Sequence, residues 1–144
     1  MTADLDTLRG IAVAVGIGLL VGIERERRRA EDGHGVAGVR TFALIALAGA
    51  LAERVGGIGI ALAGGFVVLA ALAAYRHSRS ADPGLTTEMA MLVVFLLGVL
   101  AMRELALAAG LGVGVALLLA AKSRVHRFVQ RVLTDQELHD ALLL

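Results

Sequence analysis

The chain has 144 residues, of which 58% are hydrophobic and 19% charged, with a mean hydropathy of +0.79 and a formal net charge of +1. Too few polar side chains exist to clothe a small soluble domain, which excludes that class and implies an integral membrane protein. Zero cysteines exclude disulfides and thiolate metal sites, and the acidic start MTADLD lacks the basic region of a signal peptide.

Five apolar segments follow in order: Leu5–Ile23, Val39–Ala52, Val55–Tyr75, Leu85–Met102 and Leu105–Ala121. A helix needs about 20 residues, with about 17 tolerated, to cross roughly 30 Å of hydrocarbon. The second segment is short, and spans only if residues 36–40 join it, the bilayer thins, or neighbouring protein covers it. Core helices of a soluble protein would carry a polar face at a period of 3.6 residues, and ALAGGFVVLAALAA offers none.

Five spans with the N-terminus outside put Arg25, Arg27, Arg28, Arg29, Arg40, Arg76, Arg79, Lys122, Arg124, Arg127 and Arg131 on the cytoplasmic side. Only Arg9, Arg54 and Arg103 of the fourteen basic residues face the other way. This alternation obeys the positive-inside rule at every loop. The expected fold is therefore all-α and polytopic, with a five-span domain over residues 1–121 and the C-terminus in the cytoplasm.

Residues 122–144 form a tail of different character. KSRVHRFVQRVL spaces Val125, Phe128, Val129, Val132 and Leu133 among basic residues at helical intervals, as in an amphipathic helix lying on the cytoplasmic membrane surface. Thr134 and Glu137 suit a capping box that opens a further helix. The closing run DQELHDALLL reads as a cut at the start of another span, or else as a docked terminal helix.

The junction GLLVGIERERRR marks the cytoplasmic exit of the first span. Its acid-first spacing pairs Glu24 with Arg27 or Arg28, and Glu26 with Arg29. Alternating signs beside a bilayer argue against nucleic-acid binding, and Arg27, Arg28 and Arg29 serve as topology anchors. The strings GIGLLVG, GGIGIALAGG and GLGVG lack the GK[ST] ending of a phosphate loop. Gly18 with Gly22, and Gly110 with Gly114, form GxxxG faces for close helix packing, either within one subunit or in a homo-oligomer, a dimer first. His34, His77, His126 and His139 show no metal-site spacing, and no coherent catalytic set appears, so no enzyme is expected.

Charges inside spans cost at least about 2.5–3.5 kcal/mol on insertion scales, so they come paired or functional. Three spans bring Glu24, Arg40 with Thr41, and Glu88 (preceded by Thr86 and Thr87) to similar depth at the cytoplasmic end. Arg9, Glu53, Arg54, Arg103 and Glu104 collect at the other end. The plain interpretation is interfacial or structural pairing. The functional one is an ion site in which Glu24 and Glu88 face a cation, with Arg40 as counter-charge; Mg²⁺ is the candidate cation, since it takes a few carboxylates and keeps its waters.

The words GIGLLVGIERERRR and GVAGVRTFALIALAGAL resemble the MgtC/SapB family of bacterial inner-membrane proteins. There a glycine-rich first span ends in G-x-E-R, and a G-[LV]-R-T motif opens the second. Gly22, Glu24, Arg25, Gly38, Arg40 and Thr41 fill those positions here. Many members continue into a soluble ACT-like regulatory domain, for which this chain has no room. GLTTEMAMLVVFLLGVLAM and LTDQELHDALLL are closer to a longer subgroup with a second hydrophobic half of unknown function. The resemblance implies a multi-pass membrane factor, without a resident cofactor, linked to magnesium limitation and survival inside macrophages. Some members are thought to restrain the proton-translocating ATP synthase, so the implied partners are the lipid bilayer and another membrane protein. The alternative is a transporter or channel module for Mg²⁺ or another cation.

Overall fold

A computed structural model describes residues 2–32, 37–78 and 85–132. These form five α-helices: α1 (Thr2–Asp32), α2 (Val39–Val55), α3 (Gly57–Ser78), α4 (Thr86–Ala101) and α5 (Leu105–Val132). The sole proline, Pro83, falls between α3 and α4 in the sequence, so no helix interior loses a backbone donor to it.

Each apolar segment becomes one helix, but the charged flanks extend several of them. α1 runs unbroken through Glu24–Arg28, because Glu and Arg are good helix formers and the i,i+4 pair Glu24–Arg28 closes within the helix. α5 likewise continues without a break through the basic stretch to Val132. The amphipathic face expected beyond residue 121 and the capping box at Thr134 lie outside the residues whose side chains are described.

α2 ends at a residue only glycine adopts readily. Gly56 has φ 97°, and its N–H reaches the carbonyls of Ala52 and Glu53, after which its own carbonyl accepts from Ile60 in α3. The α4–α5 corner is as tight, with Arg103 and Glu104 both donating to the Leu100 carbonyl.

α4 stands in the middle and touches all four other helices; α2 packs on α1, α3 and α4, while α5 rests on α1 and α4. Phe42, Val21 and Val94, contributed by α2, α1 and α4, are the largest fully buried side chains. Outside this core the surface is apolar. On α3, Ile58, Leu62, Phe66 and Leu69 are each at least 66% exposed, and soluble monomers rarely show apolar patches of such extent. Asp4–Arg28 and Gly57–Arg76 are long and apolar enough to cross a membrane; Thr86–Ala101 and Leu105–Ala121 are shorter apolar helices.

Candidate functional site

The C-terminal end of α1 meets the N-terminal ends of α2 and α4. Gly18 and Gly22 make that meeting possible: a Cβ on Gly18 would lie 2.6 Å from the Phe42 carbonyl oxygen, and one on Gly22 2.7 Å from the Val39 Cα. This GxxxG pair therefore works inside one subunit. Gly110 and Gly114 face open space, and α5 instead approaches α1 through Gly112, which packs on Ile17. Gly38 is extended (φ −111°), a conformation open to any residue, so its need is for room: the Glu26 carboxylate occupies the place of a side chain there.

Four charges gather at this joint. Arg28 Nε donates to Glu24 Oε1 at 3.3 Å, with both side chains 15% exposed. Arg25 Nη2 donates to the Thr86 carbonyl at 2.8 Å, tying α1 to the first turn of α4. Glu88, in that same first turn, is 7% exposed, and Glu24, Arg28 and Glu88 are the charged neighbours acting on the Arg25 guanidinium. The N-terminal end of α4 favours a carboxylate at this position. Arg25 Nε, Arg28 Nη2 and Glu88 Oε2 are buried without a hydrogen-bond partner among the described residues.

Glu24 and Glu88 thus share one end of the bundle, as expected, but Arg40 does not join them. α2 turns Phe42, Ala46 and Ala50 inward, which carries Arg40 to the far side of the helix; it is exposed and makes no hydrogen bond or ion pair with a described residue. Thr41 is half-buried and lines a groove between α2 and α3. The counter-charges are instead Arg25 and Arg28, which the sequence reading placed as a motif residue and a topology anchor. Arg25 was detectable, since it follows Gly18, Val21 and Gly22 on one helical face. Arg27 is exposed, and the side chains of Arg29, His77 and His126 lie outside what is described, as do the residues His34, Arg79 and His139.

The donor set is a poor match for Mg²⁺. Each carboxylate stands beside a guanidinium, and among the described residues no group of three or more His, Asp or Glu converges.

At the opposite end, Arg103 grips Glu53 through Nε at 2.7 Å and Nη2 at 3.0 Å. Arg54 reaches Thr7 Oγ1 at 3.4 Å, and Arg9 pairs with Asp6 at 3.3 Å. The hydrogen bond from Arg103 to Glu53, and then the charge of Glu53, raise the guanidinium above its ordinary range. A raised basic group stabilises below its unfolded value and stops only as pH climbs through the folded one, so this tie is constant at physiological pH. Because the pair is exposed, Arg103→Ala should lower the melting temperature slightly at low salt and hardly at all at high salt. A loss independent of salt would refute the electrostatic account.

The sequence model of the MgtC family matches residues 11–128, which takes in most of α1 and α5 and all of α2, α3 and α4. The chain belongs to the MgtC family. Neither a curated protein nor a solved structure matches it. It is an all-α membrane protein of that family, and the MgtC match includes the G-x-E-R and G-V-R-T words at Gly22–Arg25 and Gly38–Thr41. In this MgtC protein the two words build one structure: the first supplies Gly22, Glu24 and Arg25, and the second supplies the α2 start that Gly22 and Glu26 pack against.

Proposed function

We propose that this MgtC-family chain is a five-span inner-membrane protein, N-terminus outside and C-terminus cytoplasmic, acting as a non-enzymatic factor in magnesium or ion homeostasis through helix contacts with other membrane proteins. The orientation follows from the basic residues, eleven of fourteen of which fall on one side. The 16 residues of α4 and 17 of α2 are short for a span, and both helices sit among neighbours that cover them. The observation that favours a scaffold is the joint itself: Arg25 and the Glu24–Arg28 pair are spent on fastening α1 to α4 and on each other, at 2.8 and 3.3 Å. Meanwhile the Gly110–Gly114 face of α5 stays open for a neighbouring helix, from a second copy or another protein.

Because the chain has no cysteine, single-cysteine variants report cleanly. A cysteine at Arg103 should react with an impermeant thiol reagent in intact cells, and one at Arg76 only after permeabilisation; the reverse pattern removes the orientation. Photocrosslinking from Gly114 in native membranes should capture another membrane protein or a second copy. Capture of nothing, with ion flux through purified protein, removes the scaffold role.

One observation favours a second reading, an ion-conducting module: the buried Glu88 Oε2 atom leaves acceptor capacity that water, a proton or a monovalent cation would satisfy, beside the Arg25 Nε and Arg28 Nη2 donors that water would satisfy. Flux in proteoliposomes that Glu88→Gln and Arg28→Gln both leave unchanged would eliminate it.

A further inference from the structure

Between α2 and α3, above Met91 of α4, runs a groove of about 450 Å³. It begins at the end of the bundle where Ala37, Thr41 and Ala74 lie, and stops near Ala48 and Phe66. Phe66 to Ala74 is about 12 Å of helix, less than half of the roughly 30 Å hydrocarbon thickness. A partner helix would seek contact through both leaflets. A groove confined to one leaflet has the reach of an acyl chain.

The polarity agrees with that occupant. Thr41 carries the single hydroxyl of the lining, and it sits at the mouth rather than at the blind end. Beside it Arg40 is exposed with no partner among the described residues, and Arg76 is exposed at the same end of α3. Of the carboxylates nearby, Glu24 pairs with Arg28 and Glu88 acts on Arg25, which leaves Glu26, over Gly38, against the two cations Arg40 and Arg76. The mouth is thus cationic, and the channel below it apolar. Small side chains such as Ala48 and Ala74 leave space that the protein itself does not fill, and in a bilayer an unfilled space forfeits dispersion contacts.

We propose that this groove binds one acyl chain of an anionic phospholipid from the leaflet on the Arg40 side, with the headgroup phosphate held by the Arg40 guanidinium and the Thr41 hydroxyl. The idea rests on the membrane reading above, not on the scaffold role, and it gives Arg40 and Thr41 of the family motif a ligand of their own.

The test uses the full chain in phosphatidylcholine nanodiscs containing spin-labelled phosphatidylglycerol or spin-labelled phosphatidylcholine as the probe. The wild-type protein should immobilise the anionic probe about fivefold more strongly, the value of one basic side chain beside a headgroup of net negative charge, which the zwitterionic phosphatidylcholine lacks. Arg40→Gln, at an exposed site, should bring the two probes to parity. Ala70→Leu, which fills the groove from an exposed position on its wall, should release both. Equal immobilisation of the two probes by the wild type, or retention unchanged by Ala70→Leu, overturns the proposal. So does a disulfide between two copies through a cysteine at Ala70, which would make the groove an interface. Cysteine labelling at Arg103 in intact cells reports orientation separately, so a failed topology and a failed lipid site are told apart.

Discussion

Gly49→Ala and Gly98→Ala are each expected to destabilise the bundle by about 1–3 kcal/mol, the usual cost of overpacking a tight contact. The two glycines form a reciprocal crossing of α2 and α4. A Cβ on Gly49 would fall on the Phe95 carbonyl oxygen, and a Cβ on Gly98 on the Ala46 carbonyl oxygen. Both obstacles are backbone, so no rotamer change relieves them and the helices must separate. Separation is costly because α4 is the hub of the fold and association within a membrane depends on close packing rather than on expulsion of water. Gly110→Ala and Gly114→Ala supply the contrast. Both positions face open space, and alanine is a better helix former than glycine by about 1 kcal/mol, so these changes should be neutral or stabilising. Denaturation of the purified chain in mild detergent measures all four. Equal effects at Gly49 and Gly110 would show that the α2–α4 crossing does not limit stability.

The contrast also marks what the sequence made legible. Five helices were readable because five apolar runs are separated by charged stretches, and their order and type follow from that alone. Which glycines pack was not readable: GxxxG occurs at Gly18–Gly22 and at Gly110–Gly114, yet only the first pair meets a neighbouring backbone. The tightest contacts with a neighbouring backbone belong to Gly49 and Gly98, which stand in no such motif. Spacing along one helix defines a face, but not which face the partner takes. The same limit applies to the charge cluster. Sequence places Glu24, Arg40 and Glu88 at one depth, since depth depends only on position along a span. Azimuth depends on packing, and the inward turn of Phe42 sends Arg40 outward. Arg25 enters in its stead because it continues the stripe of Gly18, Val21 and Gly22 that faces the bundle. The groove had no sequence signature, being made of apolar side chains from α2, α3 and α4 that only the fold brings together.

Glu88→Leu is expected to cost about 3 kcal/mol, and Glu88→Gln less, because the change strips a buried guanidinium of its facing charge. Glu88 is 7% exposed at the first turn of α4, and it acts on Arg25, whose hydrogen bond to the Thr86 carbonyl ties α1 to that turn. Without the carboxylate, Arg25 keeps Thr86 and the more distant attraction of Glu24, but Arg28 still repels it. Glutamine keeps a polar group at the helix N-terminus and a partner for buried donors, so it retains part of the stability. The informative variant is the double one. Glu88→Leu with Arg25→Met removes both charges, and an apolar pair of similar size in place of a buried ionic one is often neutral. The double variant should therefore be more stable than Glu88→Leu alone, a non-additivity that denaturation in detergent resolves. Strict additivity would mean that the two residues do not share a network. The same variant separates the two readings of the cluster. If the charges serve only to fasten α1 to α4, the repaired apolar joint should keep its partner contacts in membranes. If they carry a proton or a cation, the protein should fold normally and lose that activity, since the only carboxylate then left among the four charges of the joint is Glu24, already paired with Arg28.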